Sequence, residues 1–156
     1  MSPRLNIVTV APEAVAAMRN LSDYVHGAGL EQSLMELVEM RASQINGCAY
    51  CLHMHSSDAR KHGESEVRLY LLNAWRESAL YTPRERAALA WTEALTLLPQ
   101  TNAPDDVFEE VKAEFSEAEL VTLSLLISTI NSWNRLSVGF RAQHPNDIPR
   151  KTAAAA

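Results

Sequence analysis

Met35-Glu36-Leu37-Val38-Glu39-Met40-Arg41-Ala42-Ser43-Gln44-Ile45-Asn46-Gly47-Cys48-Ala49-Tyr50-Cys51-Leu52-His53-Met54-His55 reads as two helices joined at a glycine. Upstream of Gly47, Leu34, Val38, Arg41 and Ile45 fall roughly on one face of a helix from about Glu31 to Asn46. Gly47 supplies the stop, because glycine enters the left-handed conformation that ends helices without steric cost. Downstream, a helix from about Cys48 to His62 ends at Gly63, with Arg60, Lys61 and His62 facing the negative end of its dipole. On that second helix Cys48, Cys51 and His55 stand at i, i+3 and i+7, one above another.

Helix punctuation recurs outward from this hairpin, and no strand-like alternation interrupts it. Pro12 opens a helix that Gly27 and Gly29 close, and another is expected over Glu64 to Arg76. Thr82-Pro83-Arg84-Glu85 is a capping box with proline in the first turn. Its helix should run to Leu98 with Ala87, Trp91, Ala94 and Leu98 on one stripe, and Pro99 breaks it. Pro104 starts a short helix to about Phe115. Ser116 to Glu119 is a second capping box, opening a long helix with Leu120, Leu123, Ile127, Ile130, Trp133 or Asn134, and Phe140 on one side. The expectation is an all-α fold of six or seven helices: one domain over 1–144 and a proline-broken tail over 145–156.

Composition agrees with this. The chain has 156 residues, 47% hydrophobic and 21% charged, an ordinary globular balance. A net charge of -5 disfavours duplex nucleic acid or an anionic membrane as a partner. The most apolar stretch, Leu120 to Ile130, carries Thr122, Ser124, Ser128 and Thr129 and suits a buried helix better than a bilayer span. Two cysteines are too few for a disulfide scaffold. A cytoplasmic setting, where unused thiols stay reduced, is the expected location.

Both cysteines sit at a helix start, where free N–H groups and the dipole stabilise a thiolate. His55, one turn past Cys51, is placed to take the thiol proton. In an antiparallel hairpin about Gly47, Glu36 stands ~15 Å and His55 ~12 Å from the turn, so the carboxylate is level with the imidazole. Competing readings are weaker. A c-type haem needs histidine where Leu52 stands. Structural zinc on Cys48, Cys51 and His55 with His62 or Glu36 lacks the second, separated ligand pair of closed zinc sites. A structural disulfide across so short a loop stabilises little. His53, His26, His62 and His144 read as surface, interface or helix-end residues. Trp133 and Asn134 read as packing residues, and the acidic run around Asp105, Asp106, Glu109, Glu110 and Glu114 as a solvated face.

Glu36 followed by Asn-Gly-Cys-x-Tyr-Cys-x-x-x-His over Asn46 to His55 resembles the alkylhydroperoxidase D-like (AhpD-like) branch of the carboxymuconolactone decarboxylase superfamily. The likeness continues through Asp58–Glu64, Leu72–Glu77, Tyr81–Leu95 and Ile130-Asn131-Ser132-Trp133-Asn134-Arg135. The resemblance implies an all-helical trimer or hexamer and a dithiol peroxidase without cofactor or bound metal. By position, Glu36 matches the relay glutamate, Cys48 and Cys51 the redox cysteines, and His55 the histidine. Tyr50 stands where the best-known branch has a second histidine. The implied partners are a hydroperoxide and a dithiol reductant of lipoyl or thioredoxin type. Cys51 is favoured as the attacking thiol, through its i+4 neighbour His55, with Cys48 at an exposed helix start as the resolving thiol; the reverse assignment stays open. Two other readings remain: decarboxylation of a lactone acid, which needs no cysteine pair, and a non-catalytic helical oligomer whose thiols sense oxidants or bind metal.

Overall fold

The computed structural model describes residues 2–144; the expected tail over 145–156 lies outside the described residues. These form α1 (Ile7–Val10), α2 (Pro12–His26), α3 (Gln32–Asn46), α4 (Ala49–Lys61), α5 (Glu66–Leu71), a 3₁₀ segment (Leu72–Glu77), α6 (Pro83–Thr96), α7 (Leu98–Thr101), α8 (Asp105–Glu114) and α9 (Glu117–Phe140). No strand occurs among the described residues. No helix among them is long and apolar enough to cross a membrane.

The capping signals act as the sequence implies. Thr82 Oγ1 accepts from the Glu85 N–H while the Glu85 carboxylate accepts from the Thr82 N–H, and Ser116 and Glu119 do the same at the start of α9. Gly47 sits at φ 64°, and the Cys48 N–H behind it donates to Ser43 O at 3.0 Å. That left-handed residue folds α4 straight back against α3.

α3 is the centre of the molecule, packed by α4, α6 and α9. Encirclement changes the expected one-sided stripe: Leu34 through Met40 are buried all round the helix, while Arg41 and Ile45 are half-buried. Leu123 and Ile127 of α9 are fully buried against this centre, each worth about 1.5–3 kcal/mol in transfer.

Two expected elements differ, and one is new. α6 ends at Thr96, so Leu98 leaves the core stripe and is 48% exposed, and Pro99 falls in the first turn of α7. The short α1, which no sequence signal singled out, is capped by Asn6, whose Oδ1 accepts from the Val8 N–H. The helix expected over Glu64 to Arg76 is interrupted: Ala74 leaves helical geometry at φ -116°, ψ 23°. Arg86 captures the carbonyls of Trp75, Arg76 and Ser78, and the Trp75 indole N–H donates to Glu93 at 2.9 Å. Local helix propensity yields to these long-range partners.

Candidate functional site

The α3–α4 hairpin brings together the four residues singled out by sequence. Cys48 is the N-cap of α4, its Sγ accepting from the Cys51 N–H at 3.3 Å. The two cysteines are paired as a disulfide with Cα atoms 5.4 Å apart. Cys48 is not at an exposed start: it is 1% exposed and Cys51 2%. An asparagine ladder from α9 covers the turn. Asn46 Nδ2 reaches the side-chain oxygens of Asn131 and Asn134 at 2.9 Å, and Asn134 Nδ2 donates to Ser43 Oγ at 3.0 Å.

Higher on the hairpin, His55 Nδ1 lies 3.9 Å from Glu36 Oε2. The expected juxtaposition is present, yet a second carboxylate is nearer: Glu39 Oε2 stands 3.3 Å from the same nitrogen. Glu36, Glu39 and His55 are all buried. The other oxygen of each glutamate is also held. Glu36 Oε1 accepts from Gln32 Nε2 at 2.9 Å and from His62 Nδ1 at 3.1 Å. Glu39 Oε1 pairs with His26 Nε2 at 3.1 Å, while His26 Nδ1 donates to Ser22 O at 2.8 Å.

The electrostatics follow from these partners. The hydrogen bond to Glu39 dominates at His26 and, against the opposing effect of burial, raises its pKa to about 9, so this imidazole is charged at neutral pH. Burial pushes the Glu36 carboxyl upward, but His55, Gln32 and His62 outweigh it and hold the group below its ordinary value.

A cavity of about 470 Å³ gives access to this cluster; Cys51, His55, both glutamates, Tyr50 and Trp133 line it. Cys48 instead lines a separate cavity of about 590 Å³ beside Ser137 to Gln143. The two cysteines therefore line different cavities. Trp133 is a cavity wall as well as a packing residue, its indole N–H donating to Ser22 Oγ at 2.9 Å, whereas Asn134 is wholly buried.

Sequence reasoning missed Glu39, and it read His26 and His62 as helix-end residues. Glu39 carried a signal, an acid one turn past Glu36 between the apolar Val38 and Met40. His26 carried none, because α2 meets α3 only in the fold. His144 is likewise no cap: its ring stacks on His53 with centroids 3.7 Å apart and tilts against Tyr50 at 5.6 Å. The half-buried His53 is thus covered from within the chain.

Such a cluster can pass a proton between imidazole and buried carboxylates in a cavity that Cys51 also lines. The sequence profile of the carboxymuconolactone decarboxylase family matches residues 12–94, a span that includes α3, α4, both cysteines and the Glu36, Glu39, His26, His55 and His62 cluster. The chain belongs to the carboxymuconolactone decarboxylase family. It is similar to the uncharacterized protein YdfG of Bacillus subtilis, 43% identical over 138 residues that cover 88% of this chain and 94% of that one. Its fold matches the crystal structure of ATU0492 from Agrobacterium tumefaciens with a TM-score of 0.90 and 46% identity, covering 92% of this chain and 99% of that one. ATU0492 is described as a protein of unknown function and a candidate antioxidant defence protein AhpD. A peroxidase-related protein from Ralstonia eutropha JMP134, described as an alkylhydroperoxidase AhpD core, shares the fold at a TM-score of 0.76 and 18% identity, covering 90% of this chain and 76% of that one. This member of the carboxymuconolactone decarboxylase family thus has the AhpD-like helical fold.

Proposed function

We propose that the chain is a thiol peroxidase that reduces hydroperoxides through a Cys48/Cys51 dithiol–disulfide cycle. The observation that carries the reading is that Cys51 shares its cavity with His55 and two buried carboxylates, while Cys48 opens elsewhere. His55, backed by Glu36 and Glu39, takes the Cys51 proton. The thiolate attacks the terminal peroxide oxygen, the O–O bond breaks, and the displaced alkoxide or hydroxide leaves as alcohol or water with the proton held at His55. Cys51 is then a sulfenic acid. The Cys48 thiolate attacks its sulfur, forming the disulfide and expelling the oxygen as water after protonation. An external dithiol, of lipoyl or thioredoxin type, exchanges with the disulfide and carries away its two electrons. A reducing compartment such as the cytoplasm supplies that donor. Assembly into a trimer or hexamer belongs to the same proposal, supported by the exposed apolar side chains of Tyr70 and Val121.

The test is peroxide consumption by the reduced protein with a dithiol donor, using hydrogen peroxide and an organic hydroperoxide. Cys51→Ser is expected to abolish turnover. Cys48→Ser is expected to accumulate a sulfenic acid at Cys51 that a dimedone probe labels. Unchanged consumption in Cys51→Ser would sink the proposal.

A further inference from the structure

Two carboxylates are buried side by side, and their hydrogen-bond partners leave one oxygen out. Glu36 Oε2 is buried with no hydrogen-bond partner; its separation of 3.9 Å from His55 Nδ1 is too long for a hydrogen bond. A buried charged oxygen without a partner costs more than an ordinary lost hydrogen bond. One ligand atom from each of Glu36, Glu39 and His55 lies within 4.8 Å of the other two, and all three residues are buried.

The geometry points to a divalent transition-metal site built from Glu36 Oε2, Glu39 Oε2 and His55 Nδ1. Two carboxylates and one imidazole suit a borderline cation such as Zn²⁺ or Mn²⁺. Metal–donor bonds of about 2.0–2.2 Å need donor atoms ~3–3.5 Å apart; Glu39 Oε2 already stands 3.3 Å from His55 Nδ1, and Glu36, 3.9 Å from that nitrogen and within 4.8 Å of the Glu39 ligand atom, would close in on the ion. The outer contacts have the form that fixes metal ligands in place. Gln32 and His62 hold the far oxygen of Glu36, and His26 holds that of Glu39. Three protein ligands leave a coordination position open toward the cavity. This donor set uses neither sulfur, unlike the cysteine-based zinc site weighed from sequence, and it departs from the metal-free site that the family resemblance implied.

Metal binding here is separable from the peroxidase reading, because it is expected of the disulfide form, in which neither thiol is available. A cation on His55 Nδ1 would also remove the base that the peroxidase cycle uses. Added metal should therefore slow turnover and a chelator restore it.

The decisive experiment titrates the oxidised full chain with Zn²⁺, and separately with Mn²⁺, by calorimetry. One ion per chain is expected, and the Cys48→Ser/Cys51→Ser double variant should bind equally. Glu36→Gln and Glu39→Gln should each weaken binding by at least ~10-fold, while Glu109→Gln on the exposed face of α8 should not. Co²⁺ in the native oxidised chain should give visible d–d bands without thiolate charge-transfer absorption, which keeps the test alive if a glutamate variant fails to fold. No stoichiometric ion in the oxidised chain, undiminished binding in the folded Glu36→Gln/Glu39→Gln double variant, or a Co²⁺ spectrum lacking d–d bands would overturn the site. None of these outcomes bears on whether Cys51 consumes peroxide.

Discussion

α3 carries a buried acid cluster, and α6 carries a comparable acid of its own, partnered in a different way. Glu93 of α6 accepts from Arg41 Nε at 2.8 Å and from the Trp75 indole at 2.9 Å, and its second oxygen pairs with Arg76. Burial pushes its carboxyl up, and Arg76, Trp75 and Arg41 overcome this and hold it below the ordinary value. Its charged partners are guanidiniums, which keep their charge at every accessible pH. Glu36 and Glu39 face histidines, imidazoles that can give up or take on a proton where a guanidinium cannot. Permanent cations make Glu93 a fixture that ties α3, α6 and the 3₁₀ segment together. Exchangeable protons make the other cluster a place where chemistry can happen.

The two regions should break differently. Glu36→Gln keeps the side chain's shape but removes its charge. It is expected to lower peroxide consumption by about 100-fold in kcat/KM with little change in Tm; an unchanged rate would remove Glu36 from the proton path. Glu93→Ala should do the converse. It strands the Arg41 guanidinium and the Trp75 N–H, costing roughly 2 kcal/mol in a denaturant melt while the rate per folded chain holds. A comparable loss of rate would show that the two clusters are coupled. Gly47→Ala forces a Cβ into the left-handed region at the hairpin turn, with an expected cost of about 1 kcal/mol. No atom within 4 Å would meet that Cβ, so the cost is conformational, and Gly47→Asn should recover part of it.

The smallest expected effect is the dependence of stability on pH. The His26 pKa is raised to about 9, so its contribution is fully present below 6.5 and is lost as pH rises through about 9. The Glu93 pKa is lowered, so its contribution is present above 4.5 and is lost as pH falls below that value. Melts across this range should show the histidine cluster weakening on the alkaline side and the arginine cluster on the acid side. The His26→Gln protein should lack the alkaline decline. An alkaline decline of equal size in that variant would place its origin elsewhere.

Much of this could be read from local chemistry. Thr82 and Ser116 announce their helices because each cap and its glutamate are three residues apart, within reach of one turn. Glu36 could be matched in height to His55 because one glycine turn separates two helices of known rise. The interruption at Ala74 could not be read, since the groups that draw carbonyls out of the helix come from Arg86. The burial of Cys48 was equally hidden: Asn131 and Asn134 approach the turn from a helix more than eighty residues away in sequence. His26 becomes a charged partner only because α2 lies along the same cavity.

Helix class, the α3–α4 hairpin and the placing of Cys51 and His55 one turn apart on α4 were determined by the sequence alone, because backbone geometry and capping act over three or four residues. Only the tertiary structure decided that Glu39 is nearer than Glu36 to His55, that His26 and His62 hold the far oxygens of those glutamates, and that the two cysteines line different cavities. Charge pairing and desolvation depend on distance and burial in space, and neither is a property of spacing along the chain.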